Sequence, residues 1–413
     1  MNFDQLSFPL SLSNHIEDYD LTIVGGGIVG ITLATALKAS GLKIVIIEAH
    51  SQVNSASKPQ AYALSLMSVR ILDAIGVWKK ISSQVGKFNS IRVSDADHPQ
   101  VVEFKTADLG TDYLGYVVEH QVILETLKTI IADSPEIKWL CPAEVMSVDY
   151  QSTKATVKIK VEGRLQQIRS KLVIGADGAQ SQIRSEAGIK TQGWKYWQSC
   201  VTFTVKHNAP SNNMAFERFW YSGPMGILPL PGNRCQIVWT ASHSQARVIK
   251  ELDETEFLRQ LQQRTGGLLG ELKLVSDRFI FPVQLMQSRR YTDHRLALVG
   301  DAAHCCHPLG GQGLNLGIRD VAALVETLQK SYQRGEDIGS LKVLKRYENW
   351  RRNENWVILG FTDFLNRLFS NQWWLSMKMR RLGLWLTNTF PLIRRLSLQL
   401  MTGLLGKIPQ LLK

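Results

Sequence analysis

The stretch of sequence that decides the fold is DLTIVGGGIVGITLATALKASGLKIVIIEAH, residues 20–50. It begins with a short apolar run that is typical of a buried strand, residues 21–24. Residues 28–39 continue with small and apolar side chains at helical spacing, and Gly41 then ends the predicted helix. A second apolar run, residues 43–47, reads as another buried strand. This order of strand, helix and strand predicts a βαβ unit.

Three glycines, Gly25, Gly27 and Gly30, lie between the first strand and the helix and fit the pattern G-x-G-x-x-G. The first permits a tight turn, the second lets the backbone approach a pyrophosphate, and the third allows the helix to pack closely on the strand. Free N–H groups at the helix N-terminus, near Ile28 and Val29, then face the phosphates.

Glu48 ends the second strand, where an acid about 20 residues beyond the glycines accepts hydrogen bonds from ribose hydroxyls. The unit therefore predicts binding of the ADP half of NAD or FAD and does not distinguish the two. Two later segments, 172–184 (LVIGADGAQSQIR) and 296–320 (LALVGDAAHCCHPLGGQGLNLGIRD), each place an apolar strand before a Gly/Asp turn and a helix. Neither segment completes a second nucleotide-binding unit, which indicates one large cofactor held at several points.

At these residues the chain resembles the FAD-dependent aromatic hydroxylases, the single-component flavin monooxygenases related to para-hydroxybenzoate hydroxylase. Three motifs match in chain order: the glycine motif with Glu48, a DG segment at Asp177-Gly178, and a GD segment from Gly300-Asp301 through Pro308 to Gly313. Further stretches resemble the branch that hydroxylates the ring of ubiquinone precursors, namely 61–65 with 76–78, 216–219, 223–230 and 367–371. The resemblance covers roughly residues 18–406.

The resemblance implies an α/β fold, with a Rossmann-like FAD-binding domain, an inserted mixed β-sheet substrate domain and a C-terminal helical region. The expected boundaries are a leader over 1–19, a discontinuous FAD-binding domain over 20–85, 118–185 and 290–340, a β-rich substrate domain over 86–117 and 190–289, and a basic helical region over 341–413.

The resemblance also implies the chemistry. NAD(P)H reduces FAD, oxygen adds to the flavin, and the resulting C4a-hydroperoxide passes oxygen to an activated phenol, so the cofactor carries the difficult steps. The helix near Gly313 would direct N–H groups at the flavin pyrimidine edge, and Asp301 would accept from a ribityl or ribose hydroxyl. No catalytic residue is assigned firmly, and the candidates are His304 and Pro308. His304 is expected to pack and hydrogen-bond within the GD segment, and a proton relay for the phenol is the alternative. The expected FAD contacts are Gly25, Gly27, Ile28, Val29, Gly30, Glu48, Gln121, Asp177, Gly300, Asp301, Gly311, Gly313, Leu314 and Asn315.

Two positions depart from the family pattern. Gln60 and Gln121 stand where family members commonly carry arginine, and this changes the expected contacts to the flavin phosphate and ribityl chain. Arg70, on the following predicted helix, is the candidate to replace them.

The β-rich run from 196 to 240 predicts a sheet whose aromatic side chains either line a pocket for an aromatic substrate or form ordinary sheet core. These side chains are Trp197, Phe203, Phe216, Phe219, Trp220, Tyr221 and Trp239, with Met225 among them.

The chain has a net charge of +12, and eight positive charges lie in the last fifty residues, which contain no acid after Asp363. The charged side chains are Arg367, Lys378, Arg380, Arg381, Arg394, Arg395, Lys407 and Lys413. With Trp373, Trp374 and Trp385 nearby, this tail predicts peripheral association with an anionic membrane surface, the alternative being a helical domain with a solvated basic face. Binding to nucleic acid is not expected, because no recognition motif accompanies the charge.

Five scattered cysteines without a C-x-x-C pair predict a reducing compartment. The first twenty residues lack the features of a secretory signal, and the longest charge-free apolar runs, 382–393 and 396–406, are shorter than the roughly 20 residues that a membrane span needs. A cytoplasmic protein is therefore expected.

The adjacent residues 304–307, His-Cys-Cys-His, are not predicted to bind a metal, because they cannot easily converge on one tetrahedral ion.

The leading hypothesis is an FAD hydroxylase that uses NAD(P)H and oxygen on a lipophilic, polyprenylated phenol or quinone precursor, of ubiquinone or plastoquinone type. Two alternatives stay open. One is a flavin dehydrogenase or reductase of a prenyl substrate, which would share the first motif and the GD segment. The other is a non-catalytic flavin-bound subunit of a quinone-synthesis assembly, which the departures at Gln60 and Gln121 would favour.

Overall fold

The computed structural model describes residues 17–50, 60–95 and 101–412. The expected leader lies outside these residues up to position 16, and so does Lys413. Strands are numbered in chain order: β1 Glu17–Val24, β2 Ile44–Ile47, β3 Ala61–Leu64, β4 Gly86–Phe88, β5 Ser90–Asp95, β6 Val101–Lys105, β7 Gly115–Glu119, β8 Ile137–Leu140, β9 Ala143–Tyr150, β10 Ala155–Val161, β11 Arg164–Gly175, β12 Thr191–His207, β13 Met214–Phe219, β14 Met225–Leu230, β15 Arg234–Ser242, β16 Leu272–Leu274, β17 Phe279–Ser288, β18 Thr292–Asp293, β19 Leu296–Leu298 and β20 His304–Cys305.

The α-helices, numbered in the same way, include three long ones near the C-terminus that follow one another with short connections. They are α1 Ile28–Leu37, α2 Leu66–Ala74, α3 Trp78–Ile81, α4 His120–Ala132, α5 Gln182–Glu186, α6 His243–Glu251, α7 Glu254–Thr265, α8 Gln312–Gln333, α9 Leu341–Phe369, α10 Trp374–Thr389 and α11 Pro391–Met401.

The first sheet has the order β18-β19-β11-β1-β2-β8, with β10 and β9 added beside β11. The strands from β19 to β8 run parallel, and the βαβ unit predicted from the sequence is confirmed as β1, α1 and β2. Because both faces of a parallel sheet are covered, its strands are apolar throughout, and all four residues of β2 are buried. Helices α1 and α8 pack against each other beside this sheet.

The second sheet is mixed and has the order β20-β17-β12-β15-β14-β13-β5-β6, with β16 beside β12. Its β-branched and aromatic side chains pack against α6 and α7, where Phe203 stacks edge-on against Phe257. A small sheet with the order β3-β7-β4 contacts β14 of this mixed sheet, and β3 also contacts α8 beside the parallel sheet. The α/β architecture is therefore Rossmann-like with a mixed β-sheet insertion and a C-terminal helical region, as expected.

The C-terminal helices pack on the body of the molecule and do not form a separate layer. Leu384 of α10 and Leu398 of α11 are buried, and Arg380 forms a buried ion pair with Asp95 at the end of β5, 2.6 Å from Nε to Oδ2. In the part of the chain that the structure describes, no helix combines the length and the apolar character that crossing a bilayer would require.

Candidate active site

Three sequence motifs meet at one edge of the parallel sheet. The glycine motif follows β1, the DG segment follows β11 and the GD segment follows β19, and these strands are neighbours in the order β19-β11-β1. Backbone hydrogen bonds continue past the strand ends, from Ala176 N–H to Val24 O (2.8 Å) and from Val299 N–H to Gly175 O (3.0 Å). Because the carboxyl ends of parallel strands share an edge, residues that are up to 280 positions apart form one site there.

The three glycines of the first motif have different surroundings. Gly25 has φ +110°, and a Cβ there would lie 2.4 Å from Ala176 O, while a Cβ on Gly30 would lie 2.1 Å from Gly25 O. Gly27 has extended backbone (φ −74°, ψ 176°), and no heavy atom lies within 4 Å of its Cβ position. Gly25 and Gly30 therefore allow close packing, whereas Gly27 leaves space open in front of the α1 N-terminus.

That open space belongs to a cavity of about 540 Å³, here called the first cavity, which runs from the glycine motif to the mixed sheet. The predicted FAD contacts on its wall are Gly27, Ile28, Val29, Asp301, Gly311, Gly313 and Leu314, with the candidate Pro308 beside them. The sheet contributes apolar side chains to the opposite wall, among them Phe216, Leu228 and Val238, together with Glu217. Such a site combines an apolar interior with a few polar groups, as ligand pockets of this size do.

The three acids that were predicted to contact FAD lie near the glycine motif, and they differ in their hydrogen bonds and in their exposure to the first cavity. Glu48 accepts a hydrogen bond from Gly26 N–H at 2.6 Å, which fixes its carboxylate at the end of β2. Asp177 accepts from Ile183 N–H at 3.1 Å through Oδ2, while its Oδ1 is buried without a partner among the described residues. Asp301 opens into the first cavity, and removal from water raises its pKa above the usual range.

The start of α8 closes the cavity on its third side. Gly311 precedes the helix with φ +63°, and Gly313 and Leu314 face the cavity. Asn315 lies behind them: its Nδ2 donates to Ala63 O and Gly311 O at 2.8 Å each, and its Oδ1 accepts from Ser65 N–H at 2.8 Å. Asn315 thus joins α8 to β3 through its side chain.

A buried hydrogen-bond network centred on Asp320 holds the GD segment. Asp320 was not among the residues predicted from the sequence. The Asp320 carboxylate accepts from His304 Nε2 (2.6 Å), Arg351 Nε (2.8 Å) and Gly300 N–H (3.2 Å). Burial alone would raise the pKa of Asp320, but His304 and Arg351 outweigh this and hold its pKa well below the usual range. The only sequence signal was an acid in the apolar helical stretch after the GD motif.

The four residues His304-Cys305-Cys306-His307 separate in the structure. His304 is fully buried on Asp320 and does not line the first cavity, whereas Cys305 and Cys306 do. Burial lowers the pKa of His307 to about 3, so its ring is neutral, and its Nδ1 accepts from Leu309 N–H at 3.2 Å. Among the described residues, no group of three or more His, Cys, Asp or Glu side chains is arranged to hold a metal ion.

The two glutamines that replace family arginines lie near one another. Gln60 lines the first cavity, and Gln121 lines an adjacent surface cleft with His120. Arg70 is exposed on α2 and is not on the cavity wall. Among the described residues, no lysine or arginine lines the first cavity, so the diphosphate of a bound dinucleotide would rely on the backbone N–H groups of α1.

These observations fit FAD. The absence of any side chain at Gly27 leaves room for a pyrophosphate at the α1 N-terminus, and the unpartnered Oδ1 of Asp177 supplies a buried acceptor on the adjacent strand end. Glu48 lies at the end of β2 beside the glycine motif but not on the cavity wall, and the α8 N-terminus lies on the wall of the same cavity. Gly27, Glu48, Asp301 and the start of α8 are therefore the groups that would hold the cofactor.

A second cavity, of about 360 Å³, shares part of its wall with the first one and is lined mainly by apolar side chains. It lies between β5, β6 and the helices α9 to α11, and Phe364, Met379 and Gly383 at its far end are exposed. The residues common to both cavities are Ala63, Phe88, Ile91, Glu217, Leu309 and Gly310. Because nearly three hundred residues separate β5 from α10, no local sequence pattern predicts this cavity.

The aromatic side chains proposed for a substrate pocket divide between walls and core. Phe216 lines the first cavity and Phe219 the second, where Phe219 stacks on Phe369 with ring centroids 3.9 Å apart. Phe203 and Trp239 belong to the core against α6 and α7, and Trp197 is exposed.

A cavity that begins at a dinucleotide-binding βαβ unit and ends against an apolar sheet is the arrangement expected of a flavoprotein that acts on an organic ring. The FAD binding domain family matches residues 18–362, and the chain belongs to this family. It is an FAD-dependent monooxygenase of the aromatic hydroxylase class.

Full-length relatives are found among curated proteins. An uncharacterized protein of Synechocystis, slr1300, is 53% identical over 96% of this chain and 95% of its own length. The ubiquinone hydroxylase UbiL of Rhodospirillum rubrum is 36% identical over 95% of this chain and 91% of its own length. The crystal structure of p-nitrophenol 4-monooxygenase PnpA from Pseudomonas putida shares the fold, with a TM-score of 0.81 and 20% identity over 95% of this chain and all of that one.

Proposed function

We propose that the protein hydroxylates the ring of a polyprenylated phenol or quinone precursor, of ubiquinone or plastoquinone type, with NAD(P)H as reductant and oxygen as oxidant. The R. rubrum relative is named a ubiquinone hydroxylase, which supports a quinone-type substrate. The single observation that carries the proposal is the second cavity, because it offers an apolar path from the cofactor site to the protein surface. A ring without a long chain would not need such a path.

The two cavities would bind different parts of the substrate. Bound FAD, once reduced by NAD(P)H, supplies the activated oxygen. The first cavity would hold the substrate ring against Phe216 and Leu228 and exclude water from it, while Phe219 and Leu384 of the second cavity would contact the isoprenoid chain. Burial of the chain contributes about 0.8 kcal/mol for each CH₂ group, so the chain supplies binding energy that orients the ring.

The decisive test supplies purified holoenzyme with NAD(P)H, ¹⁸O₂ and a farnesylated phenol. The proposal expects one ¹⁸O atom in the product ring, whereas anaerobic turnover of the same substrate would indicate a dehydrogenase or reductase. Failure to oxidise NAD(P)H with any ring substrate would favour a non-catalytic flavin subunit. In cells, a deletion strain should accumulate the prenylated intermediate that lacks this oxygen, and that intermediate would name the substrate.

Blocking the second cavity should discriminate between substrates with and without a chain. Gly383 lies at the exposed end of the cavity, and no atom lies within 4 Å of its Cβ position. Gly383→Trp should therefore fold and fill the opening. Displacing two methylene-sized groups of the chain costs about 1.6 kcal/mol, so kcat/KM for a farnesylated phenol should fall on the order of 10-fold. The value for the phenol without its chain should not change.

Gly360→Trp is the matched control for this variant. Gly360 lies on α9, is exposed, has open space around its Cβ position and is not on the cavity wall. Equal loss for both phenols in Gly383→Trp, or the same loss in the Gly360 variant, would contradict a chain-binding role for the second cavity.

The same helices carry an exposed apolar surface, here called the tail face. Trp374 of α10 and Leu392 of α11 are 59% and 68% exposed. Other exposed members are Trp373, Leu382, Trp385, Phe390 and Leu396. Because the second cavity opens beside this face at Met379 and Gly383, a membrane under the tail face would deliver a lipid-soluble substrate directly. We propose peripheral attachment to an anionic membrane through this face.

Ion pairs within the protein neutralise part of the positive charge of the C-terminal region. Arg394 pairs with Asp108 (2.7 Å), and Arg380 is buried on Asp95. Further pairs join Arg367 to Asp363 and Lys407 to Glu326. Lys378, which lies 5.0 Å from the centre of the Trp374 ring, and Arg395 remain exposed on α10 and α11. Apolar side chains therefore carry more of the proposed attachment than net charge does.

The double variant Trp374→Ser/Leu392→Ser should weaken binding to vesicles that contain anionic lipid. Each large apolar side chain contributes about 1.5 kcal/mol or more when buried, so the bound fraction measured by vesicle sedimentation should fall on the order of 10-fold or more. Trp197→Ser on β12, which is 49% exposed, is the control. Deletion of α10 and α11 is less suitable because it would also open the second cavity. Unchanged binding of the double variant would rule out the tail face as the anchor.

A further inference from the structure

Glu217 of β13 occupies the junction between the two cavities. Among the described residues that both cavities share, it is the only one with an ionisable side chain. A substrate whose ring lies in the first cavity and whose chain lies in the second must therefore pass its carboxylate. The position is one where a polar substituent of the ring would meet a proton acceptor.

The surroundings of Glu217 give its carboxylate little support. Within the described part of the chain its carboxylate has one hydrogen bond, which is long, 3.4 Å from Gly310 N–H to Oε2, and it takes part in no ion pair there. Its β-sheet neighbours are Val93 on β5 and Gly226 on β14, which offer no charge. Removal from water raises its pKa to about 7, only slightly opposed by the Gly310 N–H. Glu217 is half-buried, and a carboxylate without a counter-ion is costly to remove even in part from water, so its presence in a cavity wall points to chemistry.

We propose that Glu217 is the catalytic residue that takes the proton from the ring hydroxyl of the substrate during oxygen transfer and then returns it. This inference rests on the proposed function and names the acid–base group of that site.

The proton transfer balances without any further reactant. The substrate O–H bond breaks, its proton moves to an Oε atom of Glu217, and the electron pair stays on the ring oxygen. That pair raises electron density at the ortho and para carbons, one of which forms the new C–O bond with the outer hydroxyl of the oxygen donor held at the cofactor site, as the O–O bond of that donor breaks. The same carbon then loses its hydrogen as a proton to the oxygen anion left by the O–O cleavage, and Glu217 returns its own proton to the ring oxygen.

Other ionisable groups near the site are less well placed. Asp301 lies at the cofactor end, beside Gly313, and does not line the second cavity. Arg380 lines the second cavity, but Asp95 neutralises it. The remaining titratable groups around Glu217 are Cys200, which senses its charge from β12, and Tyr62, His120, Cys305 and Cys306 of the first cavity; burial also raises the pKa of Tyr62. Burial raises the pKa values of all three of these thiols, so they are uncharged at neutral pH.

The test compares holoenzyme with Glu217 against Glu217→Gln, using a farnesylated phenol as substrate. In single turnover of the reduced enzyme with oxygen, the rate of ring hydroxylation should fall on the order of 10² to 10⁴-fold, and electrons from NAD(P)H should appear as hydrogen peroxide instead. Reduction of FAD by NAD(P)H should stay at the wild-type rate. Hydroxylation by the wild type should rise with pH near 7, and the Gln variant should lose this dependence.

Glu217→Asp and Glu144→Gln complete the set. Asp keeps the acid and should restore part of the rate together with the pH dependence, whereas Glu144, exposed on β9, is the control for a lost carboxylate. A Gln variant that hydroxylates at the wild-type rate with the wild-type pH profile would overturn the proposal. Wild-type enzyme that oxidises NAD(P)H but never oxygenates the ring would instead refute the proposed function.

A measurement of stability tests Glu217 independently of turnover. An acid whose folded pKa is raised binds its proton more tightly in the folded state, so stability falls as pH rises from about 4.3, its unfolded pKa, to about 7. Glu217→Gln removes the carboxylate and therefore removes this loss of stability at high pH. The apoprotein variant should therefore have a higher Tm than wild type at pH 8 and nearly the same Tm at pH 4. An equal Tm at pH 8 would show that the carboxylate is not buried without compensation.

Discussion

Gly27→Val is expected to abolish FAD binding in a protein that still folds. The backbone at Gly27 is extended, a conformation that valine adopts readily, and no atom lies within 4 Å of the new Cβ. The added methyl groups would enter the first cavity in front of the α1 N-terminus. They would push the diphosphate away from N–H groups that each contribute about 1.5–3 kcal/mol to binding an anion, so FAD affinity should fall at least on the order of 100-fold.

The measurement is flavin occupancy of purified protein, followed by titration of the apoprotein with FAD. Gly360→Val on α9 makes the same substitution in open space away from the cavity and should keep full occupancy. Circular dichroism and the unfolding midpoint of the Gly27→Val apoprotein should match those of wild-type apoprotein. Normal flavin occupancy in folded Gly27→Val would refute the placement of the pyrophosphate.

The neighbouring glycines show why Gly27 is the informative position. Valine at Gly25 or Gly30 would place a Cβ within 2.5 Å of a backbone oxygen, and Gly25 also needs its positive φ. Those variants should fail to fold, and their loss of FAD would carry no information about the cofactor site. The sequence motif does not distinguish the three glycines. The structure shows that Gly25 and Gly30 allow close packing, whereas Gly27 leaves space for a ligand.

The sequence was sufficient for the parallel sheet and the cofactor edge because the signals are local. Each of the three motifs combines an apolar strand with the turn that directly follows it, and parallel strands bring such turns to one edge. Gly27, Asp301 and Gly313 could therefore be assigned to one site without knowing any long-range contact.

The remaining features depend on packing between distant segments, which no local pattern records. The second cavity forms only when α10 packs against β6. The tail charges were counted from the sequence, but their pairing with acids far away, such as Arg394 with Asp108, could not be read from it. Glu217 lay in a stretch singled out for its resemblance, yet its role depends on two cavities that meet at β13.

Asp320 is the clearest case of such a non-local role, and its replacement should have the largest effect on stability. The residue lies on α8, yet its partners come from the GD segment and from α9. Asp320→Asn keeps the shape of the side chain but removes the negative charge that faces buried Arg351 and His304. Because breaking a buried ion pair costs about 3–5 kcal/mol, the variant should lose a large part of the free energy of unfolding.

The cofactor site should weaken at the same time. Gly300 N–H donates to the Asp320 carboxylate at 3.2 Å, and this bond helps fix the turn that presents Asp301 to the first cavity. Flavin occupancy of Asp320→Asn should therefore fall even below the temperature at which the protein unfolds. An unchanged urea midpoint together with full flavin occupancy would show that the network is not what holds the GD segment.

The pH dependence of the stability loss in Asp320→Asn distinguishes an effect of the carboxylate charge from an effect of side-chain shape. The pKa of Asp320 is held below its usual range in the folded protein, so its stabilising contribution is present above about pH 4 and is lost as pH falls further. The difference in urea midpoint between wild type and Asp320→Asn should therefore be largest near pH 7 and should narrow below pH 4. Glu336→Gln is the control, because it removes an exposed partner of Arg346, and water and salt already screen that pair. If Glu336→Gln lowered the midpoint as much as Asp320→Asn does, burial would not be the reason that Asp320 stabilises the fold.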